Sequence, residues 1–190
     1  MNHIPIRYTP RLVLRPFTFA DAPRVQDLIG DKQITAPNAN IPRLYAEGAA
    51  QRWITAYQSA AAEGRQFNFA VTLAGTKTPG RENDFTDTGH LVGAFRIGQL
   101  DDSTDNQAVL GFWMGVPYWN NGFATEAGYS ILDFAFAHCR YDRIISCRHN
   151  DDPGSGRVLQ KLGATIITRG LFEQQRTARF LYAGFSSARE

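Results

Sequence analysis

Between Val109 and His138 the hydrophobic period switches from that of a strand to that of a helix across one short turn, Gly115-Val-Pro-Tyr-Trp-Asn-Asn-Gly-Phe-Ala-Thr-Glu-Ala127. Val109 to Met114 is a run of branched, aromatic and other apolar residues and reads as a buried strand. Phe123 to His138 keeps helical spacing, with Ala124, Ala127, Ile131, Phe134 and Ala135 on one face. The turn therefore opens a helix, where several backbone N–H groups lack intrahelical partners and the positive end of the helix dipole lies. A phosphate group fits such a place. Gly122 allows close approach to the backbone, and Asn120 and Asn121 tolerate positive φ better than most residues. A cradle of successive N–H groups needs that tolerance.

No lysine followed by serine or threonine comes after the glycine, as it does in a nucleotide-hydrolysing phosphate loop, and there is no Gly-x-Gly-x-x-Gly. The turn instead resembles the pyrophosphate loop of the GNAT (Gcn-related N-acetyltransferase) superfamily, Arg/Gln-x-x-Gly-x-Gly/Ala, here Trp119-Asn-Asn-Gly122-Phe-Ala124. The lead-in Pro117-Tyr118-Trp119 and the continuation Ala-Thr-Glu-Ala look like the RimJ/RimL ribosomal-protein acetyltransferase branch. Trp119 is usual there, whereas Asn120 stands where a glycine is common. A second segment, Asp152-Pro-Gly-Ser155-Gly-Arg-Val-Leu-Gln-Lys-Leu-Gly-Ala164, is similar to that branch's Asn-x-x-Ser-x-Arg-Val-Leu-x-Lys-Leu-Gly-Phe. It keeps Ser155, Arg157, Val158, Leu159, Lys161, Leu162 and Gly163, and it replaces the Asn by Asp152 and the Phe by Ala164. It reads as a helix with Ser155 as N-cap and Gly163 at the stop. Two motifs in order and register carry the resemblance, which is specific from Leu110 to Gly163 and extends more loosely from Thr9 to Phe185.

The chain of 190 residues is 43% hydrophobic, enough to build a substantial core in a single domain spanning its whole length. A formal charge of +2 argues against a general nucleic-acid-binding surface. No apolar run approaches the roughly 20 residues of a membrane span, and the start Met-Asn-His-Ile-Pro lacks a signal core, so a cytoplasmic protein with no membrane partner is expected. Cys139 and Cys147 read as free buried thiols, and with His3, His90, His138 and His149 scattered, no metal is implied.

Leu12 to Pro16 reads as a first strand, and Thr18 as the cap of a helix running to about Ile29. Ile34 to Pro42 reads as a loop and Tyr45 to Ala62 as a longer helix. Phe67 to Leu73 and Leu91 to Leu100 read as hairpin strands, with the polar stretch Ala74 to Gly89 between them as a mobile excursion. Arg143 to Arg148, Ala164 to Arg169 and Arg176 to Phe185 complete the strands. This order is the GNAT one. The resemblance implies an α/β (α+β) fold: a mixed, mostly antiparallel sheet of about six to seven strands, splayed at its centre and flanked by about four helices.

From the resemblance follow an activity and a site. Acetyl-CoA would be the cosubstrate of an N-acetyltransferase acting on a primary amine. Its pyrophosphate would lie against Trp119, Asn120, Asn121, Gly122, Phe123, Ala124 and Thr125, with Phe112, Trp113 and Met114 along the strand and Asp152 and Ser155 across the cleft. The strand before the loop would splay from Arg143–Arg148; Gly111 and Gly115 are consistent with a bulge or a close backbone approach. Many relatives carry a tyrosine proton donor where this chain has Leu159, and a glutamate where it has Val109. Ser155 is then the candidate donor to the leaving sulfur, against the alternative that it only caps its helix. Glu173 and His149 are the candidate bases, each with a solvated surface role as the alternative. Glu126, in the first helical turn, mainly complements the dipole. The acceptor is expected to be a peptide N-terminus or a small amine entering a partly apolar mouth. A catalytically weak acyl-CoA-binding or regulatory module, a small-molecule acetyltransferase and an RNA-associated protein are the competing readings, and a homodimer is left open.

Overall fold

The structure is a computed structural model that describes residues 4–35, 48–77, 85–99, 106–149, 152–171 and 179–186. Eight strands form one sheet: β1 (Arg7–Tyr8), β2 (Leu12–Pro16), β3 (Gln66–Lys77), β4 (Phe85–Gln99), β5 (Gln107–Met114), β6 (Arg143–His149), β7 (Thr165–Leu171) and β8 (Arg179–Ser186). Their spatial order is β1-β2-β3-β4-β5-β6-β8-β7. Every neighbouring pair is antiparallel except β5 with β6. The mixed, mostly antiparallel sheet is the expected one. Its extra member is the two-residue edge strand β1, too short to show a period.

The helices are α1 (Ala22–Ile29), α2 (Lys32–Thr35), α3 (Ala49–Ala62), α4 (Phe123–Asp133) and α5 (Pro153–Lys161). They divide between the two sheet faces because strand side chains alternate. Phe67, Phe69 and Val71 of β3 join Phe95 and Ile97 of β4 in a cluster with Ile131 of α4 and Leu159 of α5. Ala70 and Ala94 point the other way and pack with Val25 and Leu28 of α1, Ile54 of α3 and Trp113 of β5. Phe69 and Phe95 are fully buried, and each such side chain contributes about 1.5–3 kcal/mol.

The sequence readings of α1 and α4 meet the structure closely, with α4 running on as one π-helical turn, Phe134–His138; α3 starts at Ala49 after the left-handed Gly48, and residues 45–47 of its expected span lie outside the described residues. Thr18 precedes a 3-10 turn, Phe19–Asp21, which leads into α1, and its backbone N–H donates to Asp21 Oδ2 at 2.7 Å. Two expectations are corrected. Ala74 to Gly89 is no free excursion, because Ala74 pairs with Asp87 and Lys77 with Phe85, so the hairpin ladder runs on through both flanks; residues 78–84 lie outside the described residues. Three register shifts between Val71 and Lys77 break the alternation that would have marked the ladder as strand. Ile34 belongs to the helical turn α2 and is buried, while residues 36–42 are not described.

An ion-pair network ties β2 to the rest. Arg15 donates to Asp21 through Nη1 and Nη2 at 2.8 and 2.7 Å and to Asp87 through Nε at 2.5 Å. Asp21 is 3% exposed, so its carboxylate depends on that guanidinium. The same contact, with Asp21 foremost, holds the Arg15 pKa above its ordinary value against the opposing effect of burial.

Candidate active site

The turn after β5 has the cradle geometry. Asn120 has φ 61° and Gly122 φ 78°, two left-handed residues flanking Asn121. The first helical hydrogen bond of α4 runs from Glu126 N to Gly122 O at 3.0 Å, so Phe123, Ala124 and Thr125 present first-turn N–H groups with no carbonyl one turn back. Trp119 donates its indole N–H to Met114 O at 2.7 Å, which pins the loop to the end of β5.

Glu126 clasps the cradle from behind. It accepts from the Thr9 hydroxyl at 2.6 Å, from Arg11 N at 3.0 Å and from Arg11 Nε at 2.7 Å. Its role is therefore wider than complementing the dipole. Arg11 lies over the Phe123 ring, 4.8 Å from its centroid, and donates Nη1 to Asn121 O at 3.0 Å. In a trans peptide the carbonyl and the following N–H point in opposite directions, so this bond turns the Gly122 N–H away from Arg11. The sequence carried no local sign of Arg11, which lies more than a hundred residues before the loop that it orients.

A cavity of about 690 Å³ opens in front of the cradle. Of the residues expected against the cofactor, Phe112, Trp113, Met114, Trp119, Asn120, Gly122, Phe123, Ala124, Thr125, Asp152 and Ser155 line it. Asn121 does not. Arg157 and Lys161 of α5 also line it and were missed as binding residues, although their i, i+4 spacing sets them on one helix face. Backbone donors, two cations and this volume suit an extended anionic ligand.

Beyond this cavity the sheet parts. β5 and β6 pair only at Gln107–Arg143, Ala108–Ile144 and Val109–Ile145, after which the Ser146 hydroxyl reaches across to Leu110 O at 2.9 Å. A second cavity, about 130 Å³, runs through the gap. Trp53 and Tyr57 of α3 line it from one face and Ser155 and Leu159 of α5 from the other. Val109, Gly111, Cys147 and Arg148 lie along it, and Phe112, Trp113, Asp152 and Ser155 are common to both cavities. Gly111 forms no bulge on the β4 side, where the ladder passes through Arg96–Gly111 without a shift. A Cβ there would meet nothing within 4 Å, so its missing side chain widens the passage.

Ser155 is not the cap of α5. Asp152 is, accepting from Ser155 N at 3.0 Å, and Pro153 opens the helix. An aspartate two positions ahead of a glycine satisfies the same donors as the expected serine, and Pro153 fits the first helical position. Ser155 lines both cavities, and its hydroxyl is not taken up by the cap of α5. Glu173 lies outside the described residues, and of His149 only the backbone is described, paired with Phe180. Burial pushes the Tyr57 hydroxyl and the Cys147 thiol above their ordinary pKa, while the positive charge of Arg96 acts in the opposite direction on both. Among the described residues no group of His, Cys, Asp and Glu is arranged to hold a metal ion, and no helix is long and apolar enough to cross a membrane.

An anion cradle at a helix start leads into a passage between parted strands. The chain belongs to the GNAT acetyltransferases: residues 11–165 match the acetyltransferase (GNAT) domain, which makes it an enzyme that acetylates amines. It is 27% identical over 156 residues to the uncharacterized N-acetyltransferase YnaD of Bacillus subtilis, covering 82% of this chain and 79% of that protein. Its fold is similar to that of Mycobacterium smegmatis RimJ in complex with CoA-disulfide, with TM-score 0.73, 20% identity and coverage of 96% of this chain and 86% of the other. It is also similar to a Vibrio cholerae spermidine N-acetyltransferase in complex with CoA and spermine, with TM-score 0.71, 12% identity and coverage of 95% and 98%.

Proposed function

We propose that this enzyme transfers the acetyl group of acetyl-CoA to a primary amine that enters from the α3 face of the sheet. The observation that carries this reading is the passage between β5 and β6, joined to the cradle cavity at Ser155. Acetyl-CoA supplies a thioester-activated acetyl group. The first-turn N–H groups of α4, with Arg157 and Lys161, would hold its phosphates, and the β6-facing edge of β5 beyond Val109, where pairing with β6 has ended, would carry its arm. Ser155 would donate its hydroxyl proton to the departing sulfur, and Leu159, buried at the place of the family's tyrosine, has no proton to offer.

The acceptor must reach the gap as a free amine. His149, which follows the passage-lining Arg148, is the first candidate to take its proton and Glu173 the second. A peptide N-terminus or a small amine suits a narrow passage walled by Trp53 and Tyr57. A polycation suits it poorly, because Arg96 also lines it.

CoA-thiol release from acetyl-CoA, measured with free and N-blocked peptides, small amines and spermine, tests the assignment. Turnover dependent on a free amine is expected. CoA binding without turnover on any amine would leave a binding module instead. Spermine as the sole good acceptor would overturn the description of the passage.

A further inference from the structure

The α3 end of the narrow cavity is lined by hydrogen-bond donors that have no acceptor among the described residues. Asn68 is 1% exposed, and its Oδ1 accepts from Gln66 Nε2 at 3.0 Å, which fixes the amide with Nδ2 as its free end. That Nδ2 is buried without a partner. A buried donor in this state is costly and calls for an acceptor. Arg96 is its direct cross-strand neighbour, Cα opposite Cα on β3 and β4, so the two side chains share one face. Both line the cavity. Among the described residues no carboxylate pairs with Arg96. On the next strand Arg96 faces Gly111, beside which a Cβ would find open space. The row across the sheet is therefore donor, cation, gap.

Other groups around this end do not cancel the charge. Tyr57 stays protonated because burial raises its pKa, and Trp53 hydrogen-bonds to it. Among the described residues Asp152 is the one carboxylate lining the cavity, and its Oδ1 is committed to Ser155 N.

We propose that the acceptor amine of this acetyltransferase carries a carboxylate, bound by Arg96 and Asn68, a few bonds from the nitrogen that is acetylated. The proposal rests on the reading of the passage as the acceptor's path. A carboxylate accepts from a planar guanidinium and an amide N–H together and offers no proton of its own, which matches this wall. Adjacent strands lie about 4.8 Å apart, so an anion held on β3 and β4 leaves its amine beside the gap at β5 when only a few bonds separate the two. The carboxylate can be the α-carboxylate of a free amino acid or the side chain of an acidic residue at a peptide N-terminus.

Matched pairs test this: free amino acids against their carboxamides, and dipeptides beginning with Glu or Asp against those beginning with Gln or Asn. Each is assayed for acetylation with the unmodified enzyme, Arg96→Gln and Arg96→Lys, and for direct binding by calorimetry without acetyl-CoA. The acid of at least one pair should exceed its amide by about tenfold or more in kcat/KM, and the set in which it does identifies the source of the carboxylate. Arg96→Gln should remove that preference while leaving the acetyl-CoA KM within about twofold, and Arg96→Lys should restore part of it. Equal use of acids and amides by the unmodified enzyme overturns the proposal, as does a preference that survives Arg96→Gln in a folded protein. If no amine is acetylated, the activity reading falls, and the calorimetry still decides: tighter binding of acids, lost in Arg96→Gln, sustains the carboxylate site, and equal or absent binding refutes it.

Discussion

Ser155→Ala separates a chemical role from a structural one because the cap of α5 belongs to Asp152. The substitution leaves the Ser155 N–H and its 3.0 Å bond to Asp152 Oδ1 in place and removes only the hydroxyl of a residue that lines both cavities. A hydrogen bond to a charged group contributes about 1.5–3 kcal/mol, so losing one to the departing thiolate should lower kcat by roughly 10- to 150-fold. The acetyl-CoA KM should move little. Stability should be nearly unchanged, whereas Asp152→Ala removes the cap, which costs about 1 kcal/mol and lowers Tm by about 2–4 °C in a chain of this length. Asp152→Asn, which can still accept from Ser155 N, should recover most of that loss. Continuous thiol-release kinetics give kcat and KM, and calorimetric melting gives Tm. A folded Ser155→Ala enzyme with full kcat would refute the proton-donor role, and a Tm loss in Ser155→Ala larger than in Asp152→Ala would refute the capping assignment.

Gly122→Val forces a β-branched residue to φ 78°, a strain of about 1–3 kcal/mol at the residue whose N–H the cradle uses. The acetyl-CoA KM should rise by about tenfold, with Gly122→Asn milder; unchanged CoA affinity by calorimetry in a folded valine variant would remove the cradle from the site. Arg15→Met leaves the buried Asp21 carboxylate without its counter-charge and should destabilise by about 3–5 kcal/mol in denaturant unfolding, and a loss under about 1 kcal/mol would show that Asp21 finds another partner. Asp87 titrates below its ordinary 3.8: burial alone would raise it, and the Thr72 and Arg15 hydrogen bonds outweigh that effect. A carboxylate lowered in the folded state adds stability that is present above pH 3.8 and lost as pH falls through its native value, so Asp87→Asn should flatten acid unfolding in that window and leave the slope near pH 7 unchanged. Arg11→Met should raise the acetyl-CoA KM while sparing kcat, because it frees the Asn121–Gly122 peptide to rotate; lowered kcat at constant KM would place Arg11 elsewhere in the mechanism.

The sequence by itself determined the strand-to-helix turn, a left-handed asparagine in it at Asn120 though not at Asn121, the helices α1, α3 and α4, and at least part of each longer strand. These are local properties, since side-chain period and backbone tolerance are written within a few residues of one another. It also contained both motifs, which is why the family and most of the cradle lining were legible. The capping error at Ser155 came from the same source, because Asp152 and Ser155 are both good caps and only the helix start decides between them. The ladder through Ala74 and Asp87 was hidden because irregular register scrambles the alternation that announces a strand. What only the tertiary structure decided are the long-range meetings: Arg11 turning a peptide beyond Trp119, the parting of β5 from β6 after Val109, and Asn68 set beside Arg96 across a strand pair. Each joins residues far apart in the chain, and nothing local in the sequence encodes the register that brings them together.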